Sequence, residues 1–547
     1  KQKEMIKTVL TSIVMGLVPI TVFSQNTISG YTINSSTEAS TVSTEYGKVA
    51  GYIENGIYNY KGIPYAEAER FEEPHAPATW NGIRSSRYYG PTCPQEVRTM
   101  WRMDNVAFSS QWDDGFPGED CLRVNIWTPG INDGKKRPVM VWIHGGGFST
   151  GSGQEQPAYD GASLARKGDV VVVSLNHRLN ALGFLNLSSF GEKYKHSANL
   201  GLLDIVEALK WVKRNITNFG GDANNVTIFG QSGGGRKVSS LLCMPMAKGL
   251  FQKAIVESGS GATFMTDKYS KLIGEQTVRN LGLTAADIDQ IKTVPYDRLL
   301  EAGTKACNDV KKMAEAAGEG LDASIWGWFA TKDGDILPEN AFQNGSELVS
   351  KDVPMMVGTC LNEFAGIAAV MNPTCLKQTD DQVMASLKKT YGNDAGADAK
   401  ACRQAYPQLP AAYMPLIDFK YRPQALAQTE TKAKDGGAPV WNFLFTYQST
   451  ALDGTLTAMH CMELPYVFNN VARCGFETGA TPEAIRLGDI MSSAWLNFAR
   501  TGNPNGNGVP QWPAYTTGKK ATMVFDKDCT VKYGFDQALI KIATKKR

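Results

Sequence analysis

Gly230-Gln231-Ser232-Gly233-Gly234 sets a serine among glycines, directly after the apolar run Val226 to Phe229 and ahead of the helical text Gly235 to Cys243. A Gly-x-Ser-x-Gly at a strand-to-helix turn is a nucleophile elbow. Its glycines let the chain turn sharply enough to hold the hydroxyl proud of a sheet and over a helix N-terminus. In a chain with 54 glycines the pattern is weak without that context. Gly147-Phe148-Ser149-Thr150-Gly151 fits it equally, but continues into Ser152-Gly153-Gln154, which is loop text with no helix. Ser232 is therefore the expected nucleophile and Ser149 the decoy.

A serine nucleophile needs a base, an acid to orient the base, and donors for an oxyanion. His144-Gly145-Gly146-Gly147-Phe148 follows the apolar run Val139 to Ile143, and backbone N–H groups free of side chains could point at a tetrahedral intermediate there. Of the five histidines (His75, His144, His177, His196 and His460), only His460 follows Ser232, as the order nucleophile, acid, base requires. The other four are expected to be structural or on the surface. The acid must lie between Ser232 and His460. Glu363 follows the end of a buried run, Met355 to Gly358; Asp333, Asp335 and Asp453 satisfy the order as well.

These groups have to be held by a sheet. Val139–Ile143, Val170–Leu175, Val226–Phe229, Ala254–Val256, Met355–Gly358 and Val440–Phe445 are short runs without polar alternation, the pattern of strands covered on both faces. Between them, Ile205, Leu209, Val212, Ile216 and Phe219 recur at spacings of three and four, which predicts a helix over 204–219. Strand and helix alternation means α/β architecture, with a central, mostly parallel sheet flanked by helices. The stretches 267–320 and 380–408 read as helical insertions above the sheet. No repeat or low-complexity linker interrupts residues 25–547, which are expected to form one catalytic domain.

The 56 Lys+Arg against 54 Asp+Glu exclude a protein that grips nucleic acid through bulk charge. Residues 1–24 read as a secretory signal: Lys1, Lys3 and Lys7 precede the apolar run Thr8 to Phe23, with cleavage expected after about Ser24. The run is short and holds Pro19, so an export signal is favoured over a membrane anchor and no stable membrane insertion is expected. That places the protein outside the cytoplasm, secreted or periplasmic, where its ten cysteines could form disulfides. None has zinc-site spacing, so no metal is expected. Cys93 and Cys121 flank a loop rich in Trp, Met and polar residues. A bond closing it would be worth on the order of 3 kcal/mol.

The chain resembles the type-B carboxylesterase/lipase family of the α/β-hydrolase fold from Gly47 to Phe525. The resemblance rests on Tyr60-Lys61-Gly62-Ile63-Pro64-Tyr65-Ala66, Glu119-Asp120-Cys121-Leu122, His144 to Phe148, the stretch Asn199 to Asp222 and Trp495 to Gly506. It implies a Ser232, Glu363, His460 triad, oxyanion donors at Gly146, Gly147 and Gly233, and a disulfide between Cys93 and Cys121. It also implies hydrolysis of a small-molecule or lipid ester through an acyl-enzyme, without cofactor. Some relatives of that kind are binding or adhesion modules without a triad; here all three positions are filled. Two departures stand out. The family's elbow usually reads Glu-Ser-Ala, and this one is Gln231-Ser232-Gly233. His177 stands where similar proteins often carry Tyr. Trp101, Trp112, Trp326 and Trp328 are candidates for the lining of a gorge.

Overall fold

In a computed structural model, the structure describes residues 30–96, 103–261, 263–319 and 327–545. The expected signal segment, Trp101 and Trp326 lie outside them. Twelve strands form one sheet: β1 (Ile33–Asn34), β2 (Tyr52–Glu54), β3 (Ile57–Pro64), β4 (Arg123–Thr128), β5 (Arg137–Ile143) and β6 (Val171–Leu175), then β7 (Gly221–Gln231), β8 (Lys253–Glu257), β9 (Met355–Cys360), β10 (Val440–Phe445), β11 (Ala521–Phe525) and β12 (Thr530–Tyr533). Their order across the sheet is β1-β2-β3-β4-β6-β5-β7-β8-β9-β10-β11-β12. The block from β6 to β11 is parallel, and the strands outside it pair antiparallel.

Every residue of β5, β6, β8, β9 and β10 is buried. Alternate side chains enter opposite cores. Val139, Val141 and Ile143 face one, while Met140 and Trp142 face the other. The first core is roofed by helix α1 (Leu200–Asn215), whose Leu202, Ile205, Leu209 and Val212 pack into it; a 3₁₀ turn, Ile216–Phe219, completes the predicted segment. The opposite core is closed by a helix over Pro482–Thr501, which buries Leu487, Met491, Trp495 and Phe498. This is the α/β-hydrolase fold. Both expected insertions are helical, with helices over Asp267–Asn280, Tyr296–Ala316, Asp380–Tyr391 and Ala395–Ala405.

All ten cysteines are free thiols in the structure. Cys93 and Cys121 are both buried, with no S–S bond between them, so the expected disulfide is not formed in the structure.

Candidate active site

Ser232 follows β7 and caps helix α2 (Gly233–Cys243), with φ 58° and ψ −124°. Such a left-handed backbone costs a non-glycine residue on the order of 1–3 kcal/mol, which the surrounding sheet and helix must offset. The gain is positional: a half-buried side chain leaves the strand end above the positive end of α2. Glu363, beyond the end of β9, repeats the device with φ 35° and ψ −133°. Its backbone forms a parallel bridge with Met459, and its carbonyl accepts the N–H of His460 at 3.2 Å. The segment carrying His460 is thereby tied to Glu363 through the main chain.

The side chains meet as well. His460 Nδ1 hydrogen-bonds Glu363 Oε2, and both residues are buried. Glu363 Oε1 accepts from Ser258 Oγ at 2.7 Å and from the N–H of Cys360 at 2.8 Å, so both carboxylate oxygens are held. The His460 ring packs against Phe364, with centroids 4.2 Å apart. The rivals lie elsewhere. Asp333 bonds Asn199 and the N–H groups of Asp335 and Leu337; Asp335 pairs with Lys195 and His196; Asp453 is exposed.

Gly146 and Gly147 have φ of 80° and 65°, a conformation that favours glycine, and their N–H groups bond nothing among the described residues. The N–H of Gly233 opens α2 and so has no intrahelical acceptor. The loop lies against the elbow: a Cβ on Gly145 would stand 3.4 Å from that of Ser232, and one on Gly233 only 2.2 Å from the Gly147 carbonyl oxygen. The glycine at position 233 therefore lets the loop approach closely. Ser149 sits on the far side of that loop, where it lines a second cavity and not the cleft of Ser232.

Sequence reasoning singled out Gln231 but not its contact with His460, and it missed five other groups: Cys461, Cys360, Glu463, Trp495 and Glu257. The amide nitrogen of Gln231 is 3.3 Å from both ring nitrogens of His460, and Cys461 Sγ donates to Gln231 Oε1 at 3.3 Å. Beneath Glu363 and His460, Cys360 Sγ donates to Glu463 Oε2 at 3.0 Å, and Trp495 Nε1 to Glu257 Oε1 at 2.8 Å. Burial, and then the charge of Glu363, pushes Glu463 up to about 7. Burial and then Glu463 push Glu257 well above the carboxylate range. No sequence pattern marks these contacts, because the groups converge from the ends of β7, β8 and β9, the loop after His460 and the helix over Pro482–Thr501.

Ser232, His460, Gln231 and Cys461 line a tight cleft of about 30 Å³, walled also by Trp112, Asp114 and Glu155. It adjoins a cavity of about 550 Å³ through Gly146 and Thr150, lined by Phe148, Tyr296, Leu300, Trp328 and Phe329. Trp112 and Trp328 thus border these spaces. His144 and His177 are buried with no exposed surface, whereas His196 pairs with Glu73 near the surface. Among the described residues no cluster of ligating side chains could hold a metal, and no helix is long and apolar enough to cross a membrane.

The family model described as the carboxylesterase family matches residues 38–541. Para-nitrobenzyl esterase of Bacillus subtilis is 37% identical, over 90% of this chain and 96% of that protein. Phenmedipham hydrolase of Pseudarthrobacter oxydans is 32% identical, over 88% and 94%. Among solved structures, a Clostridium hathewayi esterase that can hydrolyse aliphatic aromatic polyesters superposes with a TM-score of 0.82 at 35% identity, covering 94% of this chain and 99% of that one. Match, identity and fold agree along nearly the whole length: the chain belongs to the carboxylesterase family and is a carboxylic ester hydrolase.

Proposed function

We propose that the protein hydrolyses neutral carboxylic esters through an acyl-enzyme on Ser232, with Glu363 and His460 completing the triad. The observation that carries this reading is the buried Glu363–His460 contact in the cleft where Ser232 stands on its elbow. His460, its Nδ1–H held by Glu363, leaves Nε2 to take the serine proton as Oγ attacks the ester carbonyl. The N–H groups of Gly146, Gly147 and Gly233 receive the oxyanion, and His460 then protonates the departing alcohol. Water repeats the sequence on the acyl-serine, and no cofactor enters. Labelling with an organophosphonate tests this: peptide mass analysis is expected to place one adduct on Ser232, and an unlabelled Ser232 in active protein overturns the reading.

The apolar cavity behind the oxyanion loop supports an ester with one bulky, aromatic or aliphatic side. Gln231 supports a neutral one. A carboxylate at that position would touch His460, attract a quaternary ammonium and raise the pKa of the imidazole. Glutamine has the shape without the charge. Between a choline ester and a neutral ester of matched shape, the neutral ester is expected to show the higher kcat/KM. Gln231→Glu should shift the ratio towards the cation by up to roughly tenfold, equivalent to about 1.4 kcal/mol. A wild-type preference for the choline ester refutes this, and would move attention to Asp114 and Glu96 on the cleft wall and to aromatic faces.

Export and closure of the first loop belong to the same reading. The buried thiols of Cys93 and Cys121 would be the pair that closes the loop on oxidation in an oxidising compartment.

A further inference from the structure

Helix α2 carries one group that the triad does not use. Lys237 is fully buried and runs back beneath the oxyanion loop: its Nζ donates to the carbonyl of His144 at 3.3 Å and lies 5.4 Å from the centroid of the Phe148 ring. Those two residues bracket Gly145 to Gly147. No carboxylate lies within ion-pair distance of Nζ among the described residues. The His144 and His177 rings stack beside it with centroids 4.9 Å apart. Each ring bonds through Nδ1 to the carbonyl of the residue after it, His144 to Gly145 at 2.9 Å and His177 to Arg178 at 2.8 Å. Each buried Nε2 has no hydrogen-bond partner among the described residues. A buried ammonium without a carboxylate lowers stability, so its presence beside a reaction site points to work done there.

We propose that Lys237 is a positioning residue for the oxyanion hole, its ammonium holding the His144 carbonyl and, through the His144 ring, setting the peptide that presents the Gly146 N–H. This rests on the triad and oxyanion loop proposed above. The His144 Nδ1–H donates to the Gly145 carbonyl, which belongs to the same peptide unit as the Gly146 N–H. Polarising that carbonyl makes the N–H a stronger donor. The Lys237 charge acts in the same direction from a dry interior, where it is weakly screened. Burial first, and Lys237 second, hold His144 well below the ordinary histidine range, so the ring stays neutral.

The titratable groups that face Nζ are Glu155, from the loop beyond the glycines, and the two stacked histidines. On α2 itself, the Arg236 guanidinium is turned away, 5.0 Å from the Phe329 ring. Burial lowers Lys237 to about 7, opposed by Glu155, and burial raises Glu155 to about 8. The ammonium, and with it the assistance, is present below about pH 7 and lost above it.

The test measures kcat, KM and thermal melting of Lys237→Met and Lys237→Arg from about pH 5.5 to 9. Lys237→Met is expected to lower kcat about tenfold near pH 6 with KM within twofold, to melt higher than wild type, and to match wild type above about pH 8. Lys237→Arg, charged throughout, should keep the acid-side rate and not decline on the alkaline side. A kcat for Lys237→Met within twofold of wild type near pH 6 overturns the proposal. So does a loss of rate and melting temperature together at all pH values, or failure of that variant to fold, since each makes the lysine merely structural. Phosphonate labelling of wild type alongside separates the two readings: without a Ser232 adduct the triad has failed, and with it only the role of Lys237 is at stake.

Discussion

Ser232→Ala is expected to abolish ester turnover, with a loss of roughly 10⁴- to 10⁶-fold in kcat and a fold that melts within a few degrees of wild type. The magnitude follows from the nucleophile's place in a unit that acts together: without Oγ there is no acyl-enzyme, and what remains is the oxyanion hole and substrate binding. The fold should be indifferent because the Ser232 side chain is only half-buried and, among the described residues, makes no hydrogen bond that holds the elbow. Its own N–H bonds the Glu257 carbonyl at 2.8 Å, and its carbonyl accepts from Arg236 at 2.9 Å; alanine keeps both. Ser149→Ala is the control. Ser149 lies in the oxyanion loop, between Gly147 and Gly151, but lines the adjoining cavity, so most activity should remain. Chromogenic ester turnover and melting curves of both variants decide the matter. Activity in Ser232→Ala would overturn the nucleophile; a dead Ser149→Ala would say that the second cavity is where the chemistry occurs.

Some of this was legible in the chain, and the limits have physical causes. Runs such as Val139–Ile143 and Val440–Phe445 announce buried strands because a parallel sheet covered on both faces has no polar side to alternate with. Their ends are less visible. β7 runs from Gly221 through Asp222, Ala223, Asn224 and Asn225, polar text at the sheet's rim that looks like loop. β11 was missed altogether, since Ala521–Phe525 breaks its apolar residues with Thr522 and lies between Lys520 and Asp526, so it does not read as a continuous apolar run. At the site, motif order pointed to Ser232 and His460 but left four acids between them. Burial and contact separate Glu363 from an exposed Asp453, and neither is a property of local sequence. The same holds for Gln231 against His460, and for Lys237 under the His144 carbonyl. On a helical reading Lys237 is simply a charged residue in a helix next to a nucleophile.

Glu363→Gln is expected to preserve the fold and lower kcat on the order of 10⁴-fold, the cost of giving a catalytic histidine a neutral partner of the same shape. Glu363 Oε1 is anchored by the Ser258 hydroxyl and the Cys360 N–H, both donors, so a glutamine must put its carbonyl oxygen there. Its NH₂ then faces His460 Nδ1. That donor forces Nδ1 to accept, moves the ring proton to Nε2, and leaves no lone pair towards Ser232. The variant also loses the charge that would stabilise the imidazolium. A second effect runs the opposite way for stability. Glu363 is a cause of the raised Glu463 carboxyl, so removing its charge relieves a buried repulsion, and melting temperature should hold or rise slightly. Loss of rate with retained stability is the signature of an orienting acid, and substrate turnover with parallel melting curves reads both. Asp333→Asn and Asp453→Asn should stay within about twofold of wild type, because neither contacts His460. If one of those variants lost activity by orders of magnitude while Glu363→Gln did not, the acid would have to be reassigned, and with it the route by which His460 keeps its proton on Nδ1.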